Sequence, residues 1–360
     1  MNTKKIIHIK KVSHKFKGRG TDKNPANRFE KIEYIAEPEE TYSDKRPRTE
    51  YFNDTSRSII SFNDSPDVHN SATLNIYRGC EHGCIYCYAR PTHEYLSLSA
   101  GLDFETKIFV KHSAPELLYN KLSSKGWKPQ PVTMSGNTDP YQPIEKKLEL
   151  TRRCLEVMEQ FRNPVNIVTK STLVTRDIDI LSKMNEYNAI SVYLSITSLD
   201  NRLASVMEPQ TSKPHMKLEA IKQLANANIP VGVMVSPVIP GLTDQEIPEI
   251  LKKCAEAGAK YAGYVMLRLP HGVKDLFLNW LEEYFPDRKQ KVVNRLTDLF
   301  GDNLYDSTFG VRGRGKGVFA DQIKNLFNIS CSKNGINQKP LSLSTNSFKN
   351  PENRQFNLFE

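Results

Sequence analysis

Apolar residues recur along the chain in two alternating patterns. Short runs rich in β-branched side chains occupy residues 73–77, 131–134, 165–169, 190–196, 230–235 and 261–267, and runs of this length and composition predict strands. Between them lie amphipathic stretches: 144–161, with Leu148, Cys154, Leu155 and Met158 at helical spacing, 177–187, with Ile178, Leu181 and Met184, then 217–227 and 244–257. Pro143 before one helix and Gly258 after another fit helix start and stop signals. Strand and helix in alternation predict βα units around a parallel sheet. Six units are too few to close an eight-stranded barrel, so the expected α/β fold is an open partial (β/α)6 TIM-like barrel; a doubly wound sheet shares the alternation. In either, the chemistry belongs at the C-terminal ends of the strands.

The flanks follow other patterns. Residues 1–70 are polar and turn-rich, with Gly18, Gly20, Pro25, Pro38, Pro47 and Pro66 and no sustained periodicity, and predict an arm that wraps the domain or stays mobile. The barrel is assigned to 71–270. Residues 271–330 predict a helical C-terminal cap, with helices at 275–284, 288–300 and 320–327. Residues 331–360, rich in Ser and Asn, predict a flexible tail.

Composition narrows the class. With 360 residues and 38% hydrophobic content, the chain can bury a sizeable core. The longest apolar stretch, 229–239, is interrupted by Pro230, Gly232, Ser236 and Pro237, short of the ~18 residues a membrane helix needs. No secretory leader is evident, and a cytoplasmic monomer without membrane contact is expected. The net charge of +9 is uneven: residues 1–31 carry ten Lys/Arg against Asp22 and Glu30. Such an arm attracts polyanions in a salt-dependent way, or is simply a solvated terminus.

The six cysteines are too sparse for a disulfide framework, yet three of them, Cys80, Cys84 and Cys87, stand in one loop after the first strand as C-x3-C-x2-C. A structural zinc site takes four protein ligands, usually in two separated pairs, and Cys154, Cys254 and Cys331 are isolated. His82 as a fourth ligand would strain so short a loop. Iron-sulfur clusters are held by thiolates, normally four. Three leave one iron open, the arrangement a cluster needs to bind a substrate directly.

This loop, Arg78-Gly79-Cys80 through Cys84-Ile85-Tyr86-Cys87-Tyr88-Ala89-Arg90, resembles that of the radical S-adenosylmethionine (radical SAM) superfamily in both spacing and aromatic position. The resemblance implies that Cys80, Cys84 and Cys87 ligate a 4Fe-4S cluster, that S-adenosyl-L-methionine chelates the fourth iron through its amino and carboxylate groups, and that Tyr86 contacts the adenine. One electron from the reduced cluster, supplied by flavodoxin or ferredoxin, would split the sulfonium into methionine and a 5'-deoxyadenosyl radical that abstracts hydrogen from a substrate. By the same resemblance the loop Gly136, Asn137, Thr138 and Asp139 faces the methionine amino group, although it departs from the usual double-Gly-acid form; an ordinary turn with Asp139 as an Asx residue is the competing reading. Lys170 would pair with the methionine carboxylate, or be a solvated lysine. Ser195 and Thr197 would reach ribose hydroxyls and Arg268 the substrate mouth. Asp200 and Glu208 have no identifiable partner and are assigned nothing.

Within the superfamily, residues 71–270 resemble the branch containing spore photoproduct lyase and DNA repair photolyase-like proteins. The resemblance rests on the Cys loop, the segment from Asn137 to Pro143, Thr169-Lys170-Ser171 and Pro237-Val238-Ile239-Pro240-Gly241; Arg57-Ser58-Ile59-Ile60, Tyr305-Asp306-Ser307 and Arg312-Gly313 extend it to an uncharacterised family of that branch. It implies a lyase-like or modifying enzyme whose substrate the sequence does not name, with DNA or another nucleic acid the expected class and modification of RNA or protein a further alternative. The lyase's additional hydrogen-returning cysteine has no counterpart that can be placed. The loop from Gly310 to Gly317 offers cations and unhindered N–H groups that suit phosphates, or is a solvated turn. Gln355, Leu358 and Phe359 resemble the short peptide by which bacterial repair proteins dock on the sliding clamp. The alternative from another class is a metal-stabilised nucleic-acid-binding protein with a structural Cys loop, which metal content distinguishes.

Overall fold

The structure, a computed structural model, describes residues 16, 18–29, 47–67 and 72–352. Among these, the strands are β1 (Glu50–Asn53), β2 (Ile60–Phe62), β3 (Ala72–Leu74), β4 (Tyr77–Arg78), β5 (Lys107–Val110), β6 (Val132–Met134), β7 (Val165–Thr169), β8 (Ile190–Ser195), β9 (Val231–Val238) and β10 (Tyr261–Met266). The main sheet has the order β10-β9-β8-β7-β6-β3-β2. From β3 to β10 its members are parallel, and β2 lies antiparallel on β3. Each parallel strand pairs with the next one of the sheet in chain order. That is the winding of a barrel, since a doubly wound sheet reverses its order at a switch point. Strands β3 and β10 do not meet, so the barrel is open. A second sheet, β1-β5-β4, stands beside its mouth.

The strands are short apolar runs because both faces are covered: consecutive positions are buried, Ile190, Ser191 and Val192 in β8 and Val231, Gly232 and Val233 in β9. The helices are α1 (Asp103–Thr106), α2 (Ala114–Ser123), α3 (Glu145–Leu148), α4 (Leu150–Phe161), α5 (Ile178–Asn185), α6 (Asn201–Met207), α7 (Pro214–Asn226), α8 (Ile247–Glu256), α9 (Val273–Tyr284), α10 (Pro286–Phe300) and α11 (Val318–Lys333). On α4 the predicted stripe is the buried face: Cys154, Leu155, Met158 and Phe161. The single helix expected at 144–161 is two, broken at Glu149, where φ is 53°. The cause is Glu145, whose buried carboxylate turns inward to accept the Tyr77 hydroxyl and the Thr151 amide at 3.0 Å, capping the second helix.

Helices α9 to α11 form the cap, anchored where the Trp280 indole donates to the Val206 carbonyl at 3.0 Å. Helix α11 runs past the expected end at 327, and the chain from 331 onward is tied down as far as Asn350. The Asn337 carboxamide donates to the Ala262 carbonyl at 3.0 Å and accepts the Ala262 amide at 2.9 Å, covering the open edge of β10. Ser344 donates to Asn188, Lys349 to Phe161 and Asn350 to Ser123. These acceptors precede β8, β7 and β6, so the segment expected to be a flexible tail is a belt across the N-terminal ends of the strands. Residues such as Ile336, 2% exposed, and Phe348, its ring tilted against Phe161 at 6.1 Å, are what hold it there. Gln355, Leu358 and Phe359 lie outside the described residues. No helix among the described residues is long and apolar enough to cross a membrane.

Candidate active site

The cysteine loop follows β4 and is held almost entirely by groups from elsewhere. Gly79 and Gly83 take φ of 80° and 64°, left-handed values that favour glycine. The Cys80 amide donates to Phe104, and the Ile85 amide to Met207. Glu81, buried, accepts the Tyr51 hydroxyl on one oxygen and the Ile144 amide on the other, each at 2.9 Å. Gln142 brackets the loop from the β6 side, accepting the Glu81 amide and donating to the Gly79 carbonyl. Behind it, Arg90 is fully buried, donates to the Cys84 carbonyl at 3.0 Å and is paired with the buried Glu105.

Cys80 and Cys84 are buried and Cys87 is partly so. Burial raises all three thiol pKa values; Asp139 adds to the rise at Cys80 and Glu208 at Cys84, with repulsion from the neighbouring thiols behind them, while Lys170 pulls Cys84 and Cys87 back down and Arg90 does so for Cys87. Three thiols that would repel as thiolates, two of them beside carboxylates and only partly offset by Lys170 and Arg90, form a donor set that a positively charged metal group completes. No group of three His, Cys, Asp or Glu among the described residues could hold a single metal ion. Three thiols of one loop, coupled to one another electrostatically, are the kind of donor that an iron-sulfur cluster takes, and in that chemistry the residues fit such a group.

The wall facing the loop is a buried polar network centred on Glu208. Its carboxylate accepts the Tyr86 hydroxyl, the Thr197 hydroxyl at 2.6 Å, Lys170 Nζ at 3.3 Å and Lys217 Nζ at 3.1 Å. Burial opposes ionisation of Glu208, but the two ammonium groups and the two hydroxyls outweigh it and hold its pKa well below the usual range. Burial likewise opposes the charge on Lys170, and Glu208 overcomes it, raising the lysine; on Lys217 burial wins and lowers it. Lys170 Nζ also donates to the Ser236 carbonyl at 3.0 Å and sits 5.6 Å from the centre of the Tyr86 ring. Tyr86 of the cysteine loop, Lys170 after β7, Thr197 after β8 and Ser236 of β9 thus converge at the C-terminal mouth of the barrel. Ser195 ends β8 on the same side, buried.

The loop after β6 divides its tasks. Ser135 and Gly136 have φ of 137° and 124°, a turn that brings the Gly136 carbonyl to the Tyr88 hydroxyl. The Asn137 amide donates to Asn75 and the buried Thr138 hydroxyl to Tyr77. Asp139 accepts from Thr169 at 2.6 Å, the Lys170 amide at 2.7 Å and the Tyr141 amide at 2.9 Å, and its Oδ2 lies 3.3 Å from His82 Nδ1. Both its oxygens are engaged, so Asp139 ties the cysteine loop to the end of β7. Arg268, after β10, lies over the Tyr88 ring at 4.7 Å, and its buried Nε has no hydrogen-bond partner among the described residues. In the glycine-arginine loop, Arg312 is paired with Asp67 at 2.6 Å and lies over the exposed Phe309, and Arg314 lies over Tyr264.

Glu208 is the residue that sequence reasoning passed over. Its partners come from four separate elements, so no local spacing marked it; Lys217, nine positions on and only 2% exposed, was the one available signal. Cys154 and Cys254 are buried in α4 and α8.

Residues 74–254, half of the chain, match the family model of the Radical SAM superfamily. A protein of Mycobacterium tuberculosis (strain ATCC 25618 / H37Rv), described as uncharacterized, is 34% identical over 235 residues, 65% of this chain and 68% of that one. An isomerase of Pseudomonas phage M6, the radical SAM Nalpha-GlyT isomerase, is 24% identical over 62% of this chain and 44% of its own. A solved structure of spore photoproduct lyase complexed with dinucleoside spore photoproduct superposes with a TM-score of 0.57 at 17% identity, covering 79% of this chain and 80% of that one. The fold is therefore shared with that lyase. The chain therefore belongs to the radical SAM superfamily, and the protein is an enzyme.

Proposed function

We propose that the enzyme acts on a nucleic acid, performing a lyase- or repair-type modification at the mouth of the barrel. The cluster, when bound, supplies the single electron that splits S-adenosylmethionine into methionine and a hydrogen-abstracting 5'-deoxyadenosyl radical. The chain's own residues do the rest. Cys80, Cys84 and Cys87 hold the cluster, Lys170 offers a positive charge to the methionine carboxylate, and Tyr86, fixed by Glu208 and Thr197, presents its ring to the adenine. Gly136 offers its backbone to the amino group, and Ser195 its hydroxyl to the ribose.

The observation that carries the nucleic-acid reading is Arg268, a cation whose buried Nε has no hydrogen-bond partner among the described residues, lying over the half-exposed Tyr88 directly after the last cluster cysteine. A cation over an aromatic plane at the rim of a site suits a phosphate and a base together. The lyase that shares this fold is named as binding a dinucleoside, which supports the same substrate class. A flavodoxin or ferredoxin supplies the electron, a cytoplasmic monomer is the working form, and Gln355, Leu358 and Phe359 dock on a sliding clamp, a contact that truncation after Arg354 abolishes.

Anaerobically reconstituted, reduced protein is the material for the test. Its electron paramagnetic resonance signal is expected to shift on adding S-adenosylmethionine, and 5'-deoxyadenosine release to rise with single-stranded DNA, duplex DNA or RNA. Arg268→Gln is expected to weaken binding of the active oligonucleotide and to lower the salt slope by about one. If no oligonucleotide alters 5'-deoxyadenosine release, or Arg268→Gln binds them unchanged, the nucleic-acid reading fails.

A further inference from the structure

The polar arm does not stay clear of the barrel. Residues 18–28 run along the outer side of the cysteine loop, and nearly every polar group they carry finds a partner there. Near one end, the Gly18 carbonyl accepts from Gln210 at 3.0 Å, while Arg19 donates to the Glu105 carbonyl, to Pro47 and to Thr49, each at 2.9 Å. At the other, Asn24 and Asp103 bond reciprocally, Ser99 donates to the Pro25 carbonyl, Asn27 donates to the Glu94 and Leu98 carbonyls, and Arg28 pairs with Glu94 at 2.6 Å. Arg19 and Arg28, two of the cations that suggested a polyanion-binding arm, are occupied by the protein itself.

The contact point is Gly20. Its amide donates to Glu105 Oε2 at 2.8 Å, and a Cβ there would stand 1.8 Å from the Gly83 carbonyl oxygen. Gly83 lies between Cys80 and Cys84, and a Cβ on it would meet Glu105 Oε2 at 2.8 Å. Two glycines face each other, so that the arm backbone lies directly on the loop backbone. Glu105, fully buried, then passes the contact inward: its other oxygen holds Arg90, whose Nε donates to the Cys84 carbonyl and whose Nη1 donates to Gly101 at 2.9 Å.

We propose that residues 18–28 are a strap that positions the three cysteines for cluster binding, with Gly20, Glu105 and Arg90 as its positioning residues. The cysteine loop contains no helix or strand to fix it, and ordering each of its residues carries a conformational entropy cost. Groups behind the ligands orient them and tune what they hold. The strap supplies that support from a distant part of the sequence.

The test uses the full-length apoprotein and iodoacetamide, with alkylation followed at each cysteine by peptide mass mapping. Gly20→Val is expected to raise the alkylation rates of Cys80, Cys84 and Cys87 by roughly tenfold, the factor that losing one buried hydrogen bond gives in a local opening equilibrium. Cys154 and Cys254, both 0% exposed in helices away from the strap, serve as internal controls and stay as protected as in the native protein. The double variant Asn27→Ala, Arg28→Ala releases the far end while leaving the Gly20 seat intact, and is expected to give a smaller rise confined to the same three thiols. In reconstituted protein, Gly20→Val is also expected to change the line shape of the reduced cluster. Unchanged loop alkylation in both variants overturns the proposal. So does a parallel rise at Cys154 and Cys254 in both, which would make the strap a part of general stability.

Discussion

His93 should make the protein acid-sensitive in a range where its carboxylates are mostly still ionised. The side chain is 0% exposed, its ring set edge-on to Phe104 at 5.1 Å and to Phe109 at 6.2 Å. Its Nε2 lies 2.9 Å from the Lys107 carbonyl, which only accepts, so Nε2 carries the proton. Nδ1 is then a buried lone pair without a partner. A second proton would place a charge and an unmatched donor in an apolar pocket. Burial accordingly depresses the His93 pKa to about 4, Arg90 and Lys107 adding to the depression while the Lys107 carbonyl and Asp103 oppose it. The unfolded chain takes up that proton near the ordinary value of about 6.5, so the stabilisation is complete above that pH and is lost as pH falls toward the folded value. The full shift corresponds to about 3 kcal/mol, of which about 2 kcal/mol is lost between pH 7 and pH 5. Urea unfolding of the apoprotein followed by tryptophan fluorescence measures it, with His93→Gln as the reference because glutamine keeps an N–H for Lys107 and does not titrate. The native protein should lose about 2 kcal/mol more than the variant over that interval. Equal losses would refute the reasoning.

Two further outcomes follow from groups described above. Glu208→Gln removes one charge from between two buried ammonium groups and is expected to cost about 3–5 kcal/mol in urea unfolding, with Glu208→Asp costing less; a loss below 1 kcal/mol would mean that the lysines find other partners. Phe348→Ala should cost about 1 kcal/mol and speed hydrogen exchange at Lys349, whose amide holds the belt to Phe161, while the amides of β8 keep their protection.

The barrel was legible because parallel strands covered on both faces must be short apolar runs: five of the six expected strands lie where those runs are, while the first, 73–77, is divided between β3 of the barrel and β4 of the second sheet. Cys80, Cys84 and Cys87 were legible because three soft ligands in eight positions have few other uses. What escaped was whatever depends on distant groups. Lys107–Val110 forms β5 only because β1 and β4 lie on either side of it. The break at Glu149 follows from a carboxylate turned toward Tyr77, and Glu208 gains its meaning from Lys170 and Lys217. Asp139 had the right loop for a cofactor contact, yet His82, Thr169 and the Lys170 amide already surround it. The segment after Cys331 has the composition of a loose tail, but a few residues, Ile336, Asn337 and Phe348, are enough to fasten it.

An open barrel leaves its last strand with unpaired amides and carbonyls, the kind of border on which other chains can grow a sheet. Asn337 answers this with a single side chain, because a carboxamide is a peptide group in miniature and presents to Ala262 the same donor and acceptor that a neighbouring strand would. Its own amide occupies the Lys260 carbonyl, and the Gly313 carbonyl takes the Met266 amide at the other end of β10. The seam is thus sealed against self-templating without being closed. Asn337→Ala would uncover a ready-made template for sheet growth, and slow, concentration-dependent aggregation is the behaviour such an uncovered border produces.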